Sequence, residues 1–290
     1  MKQTIFLVFT LFSMTFAQTG MSILFVDDDN YSNGDHRPSI ETAITEAGYT
    51  YTIFDAQTQG MSPTADQMSL YDLVFWYNAN DGAGGYFWNG TDTLNSELQT
   101  YLDNGGMVWA MGNDIIYDRF GGAPDTFETG DFLFDYFGIE RYDAQSRVDD
   151  SGEGVPMLLK SEGQDIASLD TIKWYVSGLW YGDGCTPVAG AVPVYEFGDA
   201  GYSLAELKTA IWYDNGTSKT MGTYFDAYYI DTDEHRTTFF KDILDHFNSF
   251  VSQEPPVSGN QYFLNFDGVD DYLRYNDEEE DGLALMDSAE

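Results

Sequence analysis

The chain has 290 residues and carries 49 acidic side chains against 12 Lys and Arg, a formal net charge of -37. So few cations cannot track a phosphate backbone, which excludes nucleic acid and anionic membranes as natural partners. With a single cysteine, Cys185, the chain has no intramolecular disulfide and no Cys-based zinc site.

Residues 1–17 have the pattern of a secretory signal peptide. Lys2 gives a positive start, Ile5 to Phe12 an apolar core too short to span a bilayer, and Thr15-Phe16-Ala17 a small-residue cleavage site before Gln18. No later apolar run reaches transmembrane length. The expectation is an exported bacterial protein, secreted or at the cell surface.

The first element of the mature chain is Ile23-Leu24-Phe25-Val26, an apolar run that reads as a strand covered on both faces. It ends in Asp27-Asp28-Asp29, which is expected to bring the chain to the surface. In open α/β sheets ligands bind at that carboxyl edge. The three acids are therefore binding candidates, and as a cluster they are candidates for a hard cation such as Ca²⁺; a solvated acidic coat accounts for most other acids.

Ile40, Ala43, Ile44 and Ala47 mark a helix that stops at Gly48. Residues 50–54 alternate as a strand, and 55–68 form a loop with at most a short helix. Leu73-Val74-Phe75-Trp76-Tyr77 is the next strand, and its exit holds Asp81 and the Gly-rich stretch Gly84-Gly85-Tyr86-Phe87-Trp88. Residues 93–104 form a helix stopped by Gly105-Gly106. Met107-Val108-Trp109-Ala110-Met111 is a strand with Gly112-Asn113-Asp114 as its exit. Successive βα units imply right-handed crossovers and a doubly wound, mostly parallel sheet.

A helix over 131–137 is followed by a peripheral β region, 141–202, whose strand order the pattern leaves open. Ala210-Ile211-Trp212-Tyr213 and residues 220–230 return to strand character across the turn Asp214-Asn215-Gly216-Thr217. An amphipathic helix over 237–250 closes the α/β domain, residues 20–252, and gives His246 a half-buried structural place. The linker 253–260 contains Pro255-Pro256. Residues 261–290 are too few for a core and read as the truncated start of an all-β domain.

Ile23 to Asp29, the strand 72–77 and the block Tyr101-Leu102-Asp103-Asn104-Gly105-Gly106-Met107-Val108-Trp109-Ala110-Met111-Gly112-Asn113-Asp114-Ile115 resemble the class I glutamine amidotransferase-like (flavodoxin-like) domain, in the divergent version found in exported multidomain bacterial proteins. In active members a nucleophilic Cys follows such a strand, and a His-x-Glu pair follows a late one. Here the elbow reads Met111-Gly112-Asn113-Asp114, and Asp226 stands in place of the His. Without nucleophile or base, a glutaminase or cysteine hydrolase is not expected. In the tail, Phe266-Asp267-Gly268-Val269-Asp270-Asp271-Tyr272-Leu273 resembles the opening motif of laminin-G-like, concanavalin A-like jelly rolls.

The expected function is non-catalytic recognition or adhesion, with extracellular carbohydrate or protein as ligand and Ca²⁺ as the only cofactor in view. Ligand-binding candidates are Asp28, Asp29, Asp81, Tyr86, Trp88, Asn113 and Asp114; Asp27, Asp28 and Asp29 are the metal candidates. Since aromatics make up 17% of the chain, rings folding back over the sheet edge weigh as much as rings that bind sugar. The alternatives are a polysaccharide hydrolase working through Asp28, Asp29 and Asp81, or a structural spacer.

Overall fold

The computed structural model describes residues 20–31, 34–79, 85–88 and 95–251, with the backbone of 263–265 and 272–274. The chain divides into two units, Met1–Val251 and Ser252–Glu290. The signal-peptide pattern, the linker, Asp81 and most of the jelly-roll motif lie outside the described residues.

Strands β1 (Ile23–Asp27), β2 (Tyr51–Asp55), β3 (Leu73–Ala79) and β4 (Met107–Gly112) form the parallel half of one large sheet, ordered β2-β1-β3-β4. Helices α1 (Arg37–Glu46), α2 (Ala56–Gln59), α3 (Ala65–Met68) and α4 (Ser96–Asp103) connect them. Two short helices thus occupy the expected loop at 55–68. The second has a capping box, in which Thr64 and Gln67 satisfy each other's backbone N–H.

Beyond β4 come α5 (Ile115–Phe120), β5 (Asp125–Thr126), α6 (Phe132–Phe137), β6 (Ile139–Gln145), β7 (Met157–Lys160), β8 (Thr171–Ile172), β9 (Asp183–Pro187), β10 (Val192–Gly198), β11 (Lys208–Asp214) and β12 (Lys219–Thr223). A 3-10 turn (Ala227–Tyr229) and α7 (Asp233–Asn248) complete the unit. β12 lies beside β4 and parallel to it, with Thr220 opposite Val108. The sheet continues antiparallel through β11, β10, β7 and β8, while β9 and β6 branch from β11. The sheet is therefore mixed, a parallel half extended by the region that sequence could not order. Strand β12 stops at Thr223, short of the run expected to 230, because Asp226 turns the chain into the 3-10 turn.

The hairpin between β11 and β12 closes as its sequence predicts. Asp214 accepts from the Gly216 N–H at 2.9 Å, and Asn215 from the N–H groups of Thr217 and Ser218 at 2.9 and 2.8 Å. Gly216 has φ of 87°, which favours glycine there.

Period-two alternation sorts the side chains between the two faces of the sheet. Ile23, Phe25, Phe75, Tyr77, Trp109 and Met221 join Ile40 and Ile44 of α1 and Phe239, Phe240 and Ile243 of α7 in one core. Leu24, Val26, Val74, Trp76, Val108 and Ala110 join Leu98 of α4 and Phe132 of α6 in the other. This is a helix–sheet–helix sandwich. As expected, His246 is structural: it packs edge-on to Trp212 at 4.3 Å, and burial pulls its pKa down.

In the second unit, β13 (Phe263–Asn265) and β14 (Tyr272–Arg274) form an antiparallel pair with Leu264 opposite Leu273.

Phe240 is fully buried, 4.9 Å from the Trp109 ring and 5.8 Å from Phe75. Phe240→Ala is expected to cost about 3–5 kcal/mol through lost burial and the cavity left behind. Urea denaturation checks this; a loss under about 1 kcal/mol would mean that α7 does not seal this core.

Candidate functional site

The carboxyl ends of β1, β3, β4 and β12 form one lip, as the parallel order requires. The first correction is there. Asp27, Asp28 and Asp29 do not surface: their exposures are 0%, 0% and 4%. Buried charges persist only when partnered, and alternation gives each acid different partners.

Asp28 faces the Trp76 side and works as a clasp. Its Oδ2 accepts from Trp76 Nε1 (2.9 Å), Asn78 Nδ2 (3.2 Å) and the backbone N–H groups of Tyr86 (2.6 Å) and Phe87 (2.9 Å). Its Oδ1 accepts from Gln57 Nε2 at 3.0 Å. Burial pushes this carboxyl up to about 7, against the pull of the Trp76, Tyr86, Phe87 and Gln57 donors. With both oxygens engaged, Asp28 has a structural role rather than the ligand-binding one expected.

Asp27 faces the other way, with Arg37 Nη1 at 2.7 Å and the Tyr31 hydroxyl at 3.0 Å. Burial raises its pKa while Arg37 and Tyr31 hold it down. Asp29 Oδ1 accepts from the Tyr31 N–H at 2.8 Å, but Oδ2 is buried without a hydrogen-bond partner among the described residues. Burial raises Asp29 to about 6; the Tyr31 N–H opposes this and the charge of Asp27 adds to it. The three acids do not meet at one point, and among the described residues no three His, Cys, Asp or Glu side chains are grouped to hold a metal ion.

The residue that sequence reading passed over is His36. It precedes α1, and its Nδ1 lies 2.7 Å from Asp226 Oδ2. Tyr77 donates its hydroxyl to Asp226 Oδ1 at 3.0 Å, as does the Tyr228 N–H at 2.9 Å. Tyr228 lies flat on the His36 ring, with centroids 3.8 Å apart. Burial opposes charge on His36, but the hydrogen bond to Asp226 and the charges of Asp226, Asp29 and Asp35 outweigh it, so its pKa is raised. The late-strand position thus carries an acid, as read, and a histidine from the opposite end of the domain meets it. Adjacency to the acidic tip was the only sequence signal for His36.

Asn113 belongs to the same centre, its Oδ1 accepting from the Asp226 N–H at 3.0 Å. It is set there by an Asn113 N–H bond to Ala79 O at 2.8 Å. That approach requires Gly112, where a Cβ would stand 2.9 Å from Ala79 O. Asp114 turns elsewhere. It adopts φ of 59°, heads α5, and accepts from Gln145 Nε2. The neighbouring Asp183 accepts from the Ile116 N–H at 2.9 Å, and burial pushes it up to about 7.

Trp88 is another correction. It is buried, donates from Nε1 to Ile115 O at 2.6 Å and packs edge-on against Phe120 and Phe132, so it is a core residue. Tyr86 is half-buried; its N–H serves Asp28 and its carbonyl accepts from Asn95 Nδ2. Cys185 is buried in β9, packed in the core with Tyr142, Ile211 and Tyr224. Burial raises its pKa well above the usual value, which suppresses the thiolate.

The two most exposed rings among the described residues come from the peripheral region instead. Tyr175 is 52% exposed and Trp180 45%. Tyr175 stacks on Tyr229 at 5.6 Å, and Tyr229 meets His36 edge-on at 5.5 Å, so the aromatic surface continues into the lip. The Arg147 guanidinium lies 4.6 Å from the Trp180 ring centroid. The indole rests on Gly154, where a Cβ would come within 2.6 Å of it. Asp150 fixes that loop, accepting from the N–H groups of Gly152 and Gly154 and the Tyr202 hydroxyl at 2.9, 2.7 and 2.7 Å.

No protein-family model matches the chain, and no curated protein matches its sequence. Solved structures do match in shape. A cytoplasmic protein of Salmonella typhimurium LT2 has a TM-score of 0.51 at 12% identity, covering 79% of this chain and 100% of its own. PurLQS from Thermotoga maritima has a TM-score of 0.48 at 12% identity, covering 78% and 99%. A ThuA-like protein from Parabacteroides merdae has 0.44 at 12%, covering 79% and 89%. At these identities the likeness is one of fold alone.

Asp28→Asn would turn an amide N–H toward donors that now meet a carboxylate. The expected cost is about 2–4 kcal/mol, read as a lowered urea midpoint. An unchanged midpoint would contradict the clasp.

Proposed function

We propose that this chain is an exported recognition protein that holds extracellular carbohydrate on the exposed rings of Trp180 and Tyr175, the latter joined through Tyr229 to the His36–Asp226 lip. The carrying observation is Trp180: a large ring, half in solvent, pinned against Gly154 and faced by Arg147. Such preorganised rings stack on the apolar faces of sugars with little ordering cost. The net charge of -37 argues for a neutral or cationic ligand over an anionic one. Export rests on the pattern of residues 1–17, and a laminin-G-like continuation on the tail motif.

A second reading has its own observation. A histidine oriented by a buried carboxylate is the base–orienter pair of proton-transfer chemistry, and His36–Asp226 has that geometry. This hydrolase reading replaces Asp28 with His36 as the acid–base group. Release of reducing sugar from polysaccharide, lost in His36→Gln, would favour it over recognition alone.

Trp180→Ala is expected to weaken binding of a neutral oligosaccharide such as cellohexaose by about three- to tenfold, with an unchanged melting temperature. Isothermal titration calorimetry with a glycan-array survey is the check. Equal affinity in the variant, or no glycan bound by the native chain, would contradict the reading.

A further inference from the structure

We infer that the lip takes the ammonium group of an amino sugar, with Asp29 Oδ2 as its acceptor. This rests on the carbohydrate reading above and narrows it to a class.

The other acids of the lip have their donors. Asp28 has five, Asp27 has Arg37, Tyr31 and the Asp29 N–H, and Asp226 has His36, Tyr77 and the Tyr228 N–H. Asp29 differs. The residue is 4% exposed, one carboxylate oxygen is engaged by the Tyr31 N–H, and the other is buried with nothing donating to it among the described residues. A buried acceptor left open costs free energy comparable to a lost hydrogen bond, more when it is charged. The fold keeps this acceptor open at the edge where α/β sheets bind ligands.

The missing partner must donate, and charge selects its kind. Asp27, Asp29 and Asp226 bring three carboxyl groups to this centre, against the guanidinium of Arg37 and the imidazole of His36. Acidic groups outnumber basic ones there, and the whole chain, at a net charge of -37, draws cations. A metal ion needs several converging ligands, and the described residues present no such group. An ammonium needs one good acceptor and neighbouring ring faces. Tyr228 and Tyr229 supply rings beside His36, and the Tyr175 surface continues outward for the rest of a sugar. Tyr31, whose N–H bonds this acid, is 39% exposed.

The experiment is calorimetric titration of the full chain with a glucosamine tetramer, its N-acetylated counterpart and tetralysine. The native chain is expected to prefer the glucosamine tetramer on the order of tenfold over the acetylated one. Asp29→Asn keeps an oxygen for the Tyr31 N–H and should fold, a melting curve verifying this. In that variant the preference should vanish while binding of the acetylated tetramer remains. Equal affinities in the native chain, or a preference that survives Asp29→Asn, would overturn the inference and leave the carbohydrate reading standing. Tetralysine binding as tightly as the glucosamine tetramer would also overturn it, in favour of a basic peptide. Failure of both sugars to bind would overturn both readings.

Discussion

Everything at the lip depends on carboxylates being held out of water. Desolvating a charge costs several kcal/mol, and the chain offsets this at Asp28 with N–H donors from β3, from the segment after it and from α2. The clasp ties the end of β1 to β3, to α2 and to the segment over one sheet face. Once that acid is committed, Trp88 can sink into the core and the glycine-rich segment is no longer an aromatic arm. Asp27 and Asp29, one residue to either side, are turned by strand alternation to the opposite face. There Arg37 neutralises one, and the other keeps an open oxygen beside His36 and Asp226.

Much of the scaffold was legible in the sequence. The apolar runs at 23–26, 73–77 and 107–111, the helix stripes and the Asp214-Asn215-Gly216 turn follow from side-chain periodicity and local turn chemistry, and each forms where expected. Strand order in 141–202 did not follow, because antiparallel extensions of a sheet are fixed by long-range partners that local pattern does not encode. The fate of the three acids failed for the same reason. A run of carboxylates reads as solvated unless the donors are visible, and those donors lie up to 59 positions away, at Phe87. His36 and Asp226, 190 positions apart, met only through topology.

The sequence resembles an amidotransferase-like domain, yet what this sheet edge presents differs from the triad of that family's active members. The sole cysteine is buried with its thiol kept protonated. The histidine enters from the helix after the first strand, and its partner is an aspartate capping a 3-10 turn. Rings from the antiparallel extension reach the same edge through Tyr175 and Tyr229. The edge thus combines an acid–histidine pair with the rings of Tyr175, Tyr228 and Tyr229.

The dependence of stability on pH tests the burial of these acids most directly. Asp28 and Asp183 are raised to about 7 and Asp29 to about 6 from 3.8, and Asp27 and His36 are raised as well. Each binds its proton more tightly folded than unfolded, so its contribution is full at low pH and is lost as pH rises through the folded value. Urea unfolding should therefore show stability falling by at least about 2 kcal/mol between about pH 5 and pH 8. Stability that is flat or rises across that window would mean that the lip acids are solvated, and would contradict the account.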